Sequence, residues 1–171
     1  MTTRRNLLAG AALTPLLPLV ARAAVADAAP FTASKLVYIT PLKSNGEESR
    51  CKAEVWFGWH EGSCYVVTQA DAWRAQAVRQ GLTRARLWVG EFGIWTDSDD
   101  AFRTAPEHMA TASLVTDADL HGAVLEAMGP KYTEEGWGTW GNRFRTGLAD
   151  GDRVMLRYRL DALQSTQTVV R

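Results

Sequence analysis

Two cysteines and three histidines are the whole stock of thiols and imidazoles in this sequence. His60, His108 and His121 fall at an expected turn, a loop and a helix, without the spacing of metal ligands, so no metal site is expected. Cys51 and Cys64 lie on adjacent expected strands, and a turn at His60–Gly62 pairs Cys64 with about Phe57. Cys51 then sits six positions away along its strand, about 20 Å at the strand rise, whereas a disulfide needs Cα atoms within about 7 Å. Two free, largely buried thiols are expected. There is no Gly-x-Ser-x-Gly elbow, no phosphate-binding Walker loop and no His-Glu-x-x-His helix. What remains is cationic and aromatic. Arg153, Arg157 and Arg159 alternate with apolar residues near the end of the chain. They form either a solvated strand face or a row that reaches a ligand or a partner. The stretch 134–145 carries Gly136, Trp137, Trp140 and Arg143 and reads as a structured loop. It either covers a ligand or plugs an open barrel end.

The elements that must position these groups are mostly strands. Residues 36–42 (LVYITPL) are β-branched and aromatic, and Ser44-Asn45-Gly46 is a turn signal. Residues 51–59 alternate: Cys51, Ala53, Val55, Phe57 and Trp59 share an apolar face, and Lys52, Glu54 and Trp56 share the other. Residues 63–68 (SCYVVT) pair back after the turn. Asp71 caps a short helix over 72–80, ended by Gly81. A strand from Arg84 to about Trp95 changes its apolar parity at Gly90, which predicts a bulge or bend there. Residues 110–115 read as a further strand. Thr116 with Asp119 resembles a capping box opening a helix through Met128, with Leu120, Val124 and Met128 as its buried stripe. In the last strand, 152–160, Val154, Leu156, Tyr158 and Leu160 face inward. Six strands joined by hairpins, with two short helices, favour an antiparallel barrel or sandwich over a βαβ fold.

The 171 residues suit one core, since single domains run to about 100–200 residues. Nineteen basic residues balance nineteen acidic ones, which excludes a binder of nucleic acid or membrane that relies on bulk charge. The N-terminus reads as an address. Arg4-Arg5 precedes Leu7–Val20, an apolar run of 14 residues, short of the ~20 that span a bilayer and interrupted by Pro15 and Pro18. Ala-x-Ala sites follow at 21–28. The expectation is a cleavable twin-arginine-type signal peptide over 1–28, a single domain over 29–171 and a periplasmic or secreted protein without a transmembrane anchor. Cleavage after Ala26 removes Arg4, Arg5 and Arg22 and leaves sixteen basic residues against nineteen acidic ones.

Three consecutive blocks resemble a known superfamily. The first is a strand ending in Ser44-Asn45-Gly46, then Arg50; the second holds Val55-Trp56-Phe57, a turn and Tyr65-Val66-Val67-Thr68. The third is Trp73-Arg74 leading to Arg84-Ala85-Arg86-Leu87-Trp88-Val89-Gly90, with Lys131-Tyr132 further on. In this order they resemble the FMN-binding split β-barrel proteins, relatives of pyridoxamine phosphate oxidase and of the deazaflavin-dependent reductases, over roughly residues 35–160. The sequence departs from the family pattern at Gly81-Leu82-Thr83, where Asn-Pro often stands, and at Glu54, where Pro often stands. The resemblance implies a six-stranded antiparallel split barrel that binds FMN, an oxidoreductase acting on a small-molecule redox substrate, and a homodimer with the flavin between subunits. It implies that the phosphate is held by Thr68, Gln69, Arg74 and Arg79 with Arg50 or Lys52, because a guanidinium pairs with phosphate at two points. Arg74 and Arg79 are otherwise solvated residues paired with Asp71 or Glu47. Trp56 and Trp73 line the ring pocket or are ordinary barrel packing. No catalytic acid or base is named, because the flavin itself carries the hydride. The alternative is a non-enzymatic module with the same barrel, holding haem, a deazaflavin or no cofactor.

Overall fold

The computed structural model describes residues 28–161. The proposed leader therefore lies outside the described residues, Ala28 excepted. Helix α1 (Ala29–Ala33) precedes strand β1 (Val37–Pro41), followed by β2 (Ala53–Val55), β3 (Gly58–His60) and β4 (Ser63–Gln69). Helix α2 (Trp73–Arg79) leads to β5 (Arg84–Val89), and a 3-10 turn at Ala101–Thr104 to β6 (His108–Val115). Helix α3 (Ala118–Met128), a 3-10 turn at Gly129–Tyr132 and α4 (Trp137–Asp150) precede β7 (Arg153–Leu160). No helix among the described residues is long and apolar enough to cross a membrane.

All seven strands form one antiparallel sheet in the order β2-β1-β5-β6-β7-β4-β3. Its two edges are β2 and β3, and only Trp56 and Phe57 separate them in the chain. The sheet must therefore curl until its edges meet, giving a curled half-barrel. Every strand contributes to a single interior cluster: Val37 and Ile39, Val55, Trp59, Cys64 and Val66, Leu87, Ala112, Leu156 and Tyr158. Strand β4 is buried from Ser63 to Thr68 because its odd residues Tyr65 and Val67 pack outside the barrel with Val124, Leu125, Met128 and Phe144. Glycine is required where α3 meets the barrel: a Cβ on Gly58 would lie 2.9 Å from Cγ1 of Val124.

Several expectations are corrected. The continuous strand 51–59 divides into β2 and β3, so there are seven strands rather than six; a strand that closes a cylinder on itself must break to serve both edges. Cys64 is paired with Trp59, not Phe57. Both thiols are free, but only Cys64 is fully buried; Cys51 is partly exposed. The strand expected to run to Trp95 stops at Val89. Gly90 (φ +158°) turns the chain out, with a Cβ there only 2.3 Å from Phe92, and the segment beyond folds back so that Phe92, Trp95 and Phe102 pack with Tyr38 and Trp88. Asp71 makes no cap on α2, whose N-cap is Ala72. Asp117, not Thr116, caps α3, its carboxylate accepting from the N–H groups of Asp119 and Leu120. The expected loop 134–145 is largely helix α4. Its outward Gly138 and the tight Gly141 lower helix propensity by about 1 kcal/mol each, but Trp137, Phe144 and Leu148 recur at helical spacing and bury against Tyr65 and Met155.

Candidate functional site

Beside the sheet closure lies a groove of about 510 Å³. The end of β4 contributes Val67, Thr68 and Gln69; α2 contributes Arg74 and its flank Ala72; the closure contributes Val55 and Trp56. Trp140 and Phe144 of α4 and Arg153 of β7 complete it. One wall is aromatic. Trp56 stacks on the buried Tyr132 ring at 4.5 Å and meets Trp140 edge-on at 6.2 Å. The charge in the groove is positive: Arg74 Nη1 donates to Thr68 Oγ1 at 3.2 Å, and the Arg153 guanidinium lies 5.4 Å from the Phe144 ring centroid. No acidic side chain lines it. Glu54 is turned away, its carboxylate accepting from the Trp95 N–H at 3.3 Å. Among the described residues lining the groove there is also no His, Cys, Met or Tyr to ligate a haem iron. A second, polar hollow of about 870 Å³ continues past Gln69 and Arg153 to Asp71, Asn142, Arg143, Thr146 and Asp152.

Of the residues singled out from sequence, the fold brings Trp56, Thr68, Gln69 and Arg74 to this groove. Trp73 is 42% exposed and does not line it. Arg79 points back along α2 and donates to the Ala70 carbonyl. Arg50 is exposed on the loop before β2. Lys52 is committed elsewhere, 3.6 Å from Glu48 and 6.0 Å from the Trp95 ring centroid. Of the row Arg153, Arg157 and Arg159, read as a solvated face or as reaching a ligand, Arg153 lines the groove, and Trp140 of the stretch read as a cover lines it too; Phe144 was not singled out. The helical recurrence of Trp137, Phe144 and Leu148 was the available signal, hidden by the glycines between them.

Glu48 is the hub that takes Lys52 away. Its two oxygens accept from Arg103 Nη1 at 2.9 Å and Nη2 at 2.6 Å, and Arg86 lies 3.3 Å away. The Arg103 hydrogen bonds hold the Glu48 carboxyl below the usual carboxylate range, against the opposing effect of burial. Stability from a depressed carboxylate is present above the unfolded pKa and is lost as pH falls through the folded value. Glu48→Gln is expected to cost about 1–3 kcal/mol at pH 7. The gap from the parent protein should close in acid, as read by denaturant melts at pH 7 and pH 3; a pH-independent gap contradicts this assignment.

No family model matches the sequence, and no curated protein sequence matches it. Solved structures do match its fold. HutZ, the heme storage protein from Vibrio cholerae, aligns with a TM-score of 0.52 at 15% identity, over 81% of this chain and 91% of that one. A conserved hypothetical protein from Mycobacterium tuberculosis aligns at 0.51 and 14% identity, over 80% and 78%. General Stress Protein 26 from Bacillus anthracis aligns at 0.50 and 12% identity, over 78% and 90%. At such identities the likeness is one of architecture, and it agrees with the curled sheet whose edges meet at Trp56–Phe57: the chain shares the split-barrel fold of these solved structures.

Proposed function

We propose that this protein is an exported FMN-binding split-barrel oxidoreductase, working as a homodimer on a small redox substrate. The observation that carries the reading is the pairing of Arg74 and Arg153 with an aromatic wall of Trp56, Trp140 and Phe144 in one acid-free groove. A flavin mononucleotide is flat and aromatic at one end and doubly anionic at the other, and this groove offers a surface for each. Thr68 Oγ1, already bonded to Arg74, and the side chain of Gln69 supply further polar contacts for the phosphate. When bound, the flavin would supply the hydride chemistry. The chain's own part is to orient the ring, balance the phosphate charge and exclude water with the Trp140 face. Groove cations without an iron ligand favour a flavin over haem here. The dimer and the twin-arginine route follow from the family resemblance and from Arg4-Arg5 with its apolar run.

An absorption titration tests this. Purified protein is expected to quench and shift the FMN bands saturably, with one site per chain. Protein that leaves the FMN spectrum unchanged, or that takes haemin to give a Soret band while ignoring FMN, overturns it.

A further inference from the structure

At a separate place, beneath α1, lies a cavity of about 410 Å³ lined by Phe31, Thr32, Ala33, Lys35, Trp59, Ala127, Pro130 and Lys131. Its lining contains two lysines and no acid. They are not equivalent. Lys35 is neutralised by Glu135, 2.5 Å from its ammonium. Lys131 has no carboxylate partner among the described residues: it donates to the Phe31 carbonyl at 3.1 Å and sits 3.4 Å above the Phe57 ring centroid. An ammonium carries three donors, so the geometry leaves capacity for a ligand oxygen. Next to it Trp59, half-buried and backed by the fully buried Phe31 ring stacked on it at 4.4 Å, gives the cavity an apolar, aromatic side. A half-buried cation without a counter-ion, on a residue that lines a cavity with an aromatic wall, is half of a recognition site for an amphiphilic anion.

We propose that this cavity is a second small-molecule site, which takes an organic monocarboxylate with its charge on Lys131 and its hydrocarbon body against Trp59. It is independent of the flavin reading, since it shares no residue with the groove. Burial pushes the Lys131 ammonium down to about 8, as an unpaired cation should be. Other titratable groups face it. The Cys64 thiol and the Tyr132 hydroxyl are both pushed up by burial, His108 is pushed down by burial, Lys35 is raised by its hydrogen bond to Glu135, Glu135 is lowered by the same bond, and Glu91 adds a distant negative charge. None of these directions brings a second group towards pH 8. A bound carboxylate favours charged Lys131, so binding takes up a proton near pH 8 and above, and weakens as pH rises.

Benzoate titrated into the full protein by calorimetry is the test, with benzyl alcohol as the uncharged comparison. Saturable benzoate binding is expected, at least about tenfold weaker in Lys131→Met, and nearly retained in Lys131→Arg. It should be unchanged in Arg74→Ala and accompanied by proton uptake at pH 8 in buffers of different ionisation enthalpy. Benzyl alcohol should bind at least about tenfold more weakly than benzoate. The absence of saturable binding, undiminished binding in Lys131→Met, or parallel loss in Arg74→Ala overturns the proposal. Should Lys131→Met fail to fold, the proton uptake of the parent protein decides alone: no uptake at pH 8 overturns it.

Discussion

Replacing Arg74 with alanine is expected to weaken FMN binding by roughly 10- to 100-fold, the worth of about 1.5–3 kcal/mol for a hydrogen bond to a charged group. Arg74 is half-exposed on α2 and its one described side-chain bond is to Thr68 Oγ1 at 3.2 Å, so folding should hardly notice its loss. Lys at this position keeps the charge but not the planar fork, and is expected to fall between the two. The binding constant of the parent protein should weaken with salt, and that of Arg74→Ala less steeply. Arg153 is a poorer test residue because its stem packs within 2.8 Å of the position a Gly147 Cβ would take, and its guanidinium covers Phe144. Truncating it would disturb α4 as well as any ligand. Unchanged FMN affinity in Arg74→Ala, measured by fluorescence quenching, removes Arg74 from the phosphate site.

Tyr132→Phe is expected to be the most damaging single-atom change. The Tyr132 hydroxyl accepts from the Phe57 N–H at 2.8 Å, and its one proton lies within reach of two carbonyls, Lys35 at 2.8 Å and Phe57 at 3.0 Å. The ring and Phe57 are fully buried, so deletion strands backbone groups where water does not reach. Each stranded group costs about 1–3 kcal/mol, which predicts a loss of roughly 2–4 kcal/mol in all. For a domain of this size that is a fall in Tm of roughly 5–15 °C. These bonds pin the link between β2 and β3, and Trp56 in that link lies on the Tyr132 ring. FMN binding should therefore weaken in Tyr132→Phe even at temperatures where the variant is folded. A loss under about 1 kcal/mol by denaturant melts means that ordered water replaces the hydroxyl, and the closure is then not pinned as described.

The fold was legible where a segment's side-chain pattern follows its burial. The apolar run 63–68, the alternation in 152–160, the Asn45-Gly46 turn and the Leu120/Val124/Met128 stripe all correspond to observed elements. The run belongs to a strand buried on both faces, and the alternation and the stripe follow the period of their elements, so local pattern and tertiary burial agree. Two misreadings share one cause. The period of 51–59 was unbroken, yet the segment serves both edges of a curled sheet and breaks at Trp56–Phe57. Glycines and tryptophans in 134–145 suggested a loop, yet packing against β7 and α3 outweighs the intrinsic cost of the glycines.

The candidate site divides along the same line. Thr68, Gln69 and Arg74 lie within seven residues of one another, and the strand-to-helix connection that places them is written in the local sequence. Arg153 and Phe144 reach the groove from the other end of the chain, because β7 pairs with β4 in a register that sets Gln69 beside Arg153. Residue types alone determined strands, turns, the short helix and the supply of cations and rings. Which cations lack a carboxylate was decided by the tertiary structure: Glu48 claims Lys52 and Glu135 claims Lys35, the Ala70 carbonyl holds Arg79, while Arg74 and Lys131 line hollows with only neutral partners. Pairing of charges depends on distances of a few ångströms between residues far apart in sequence, and only the closure of the sheet sets those distances.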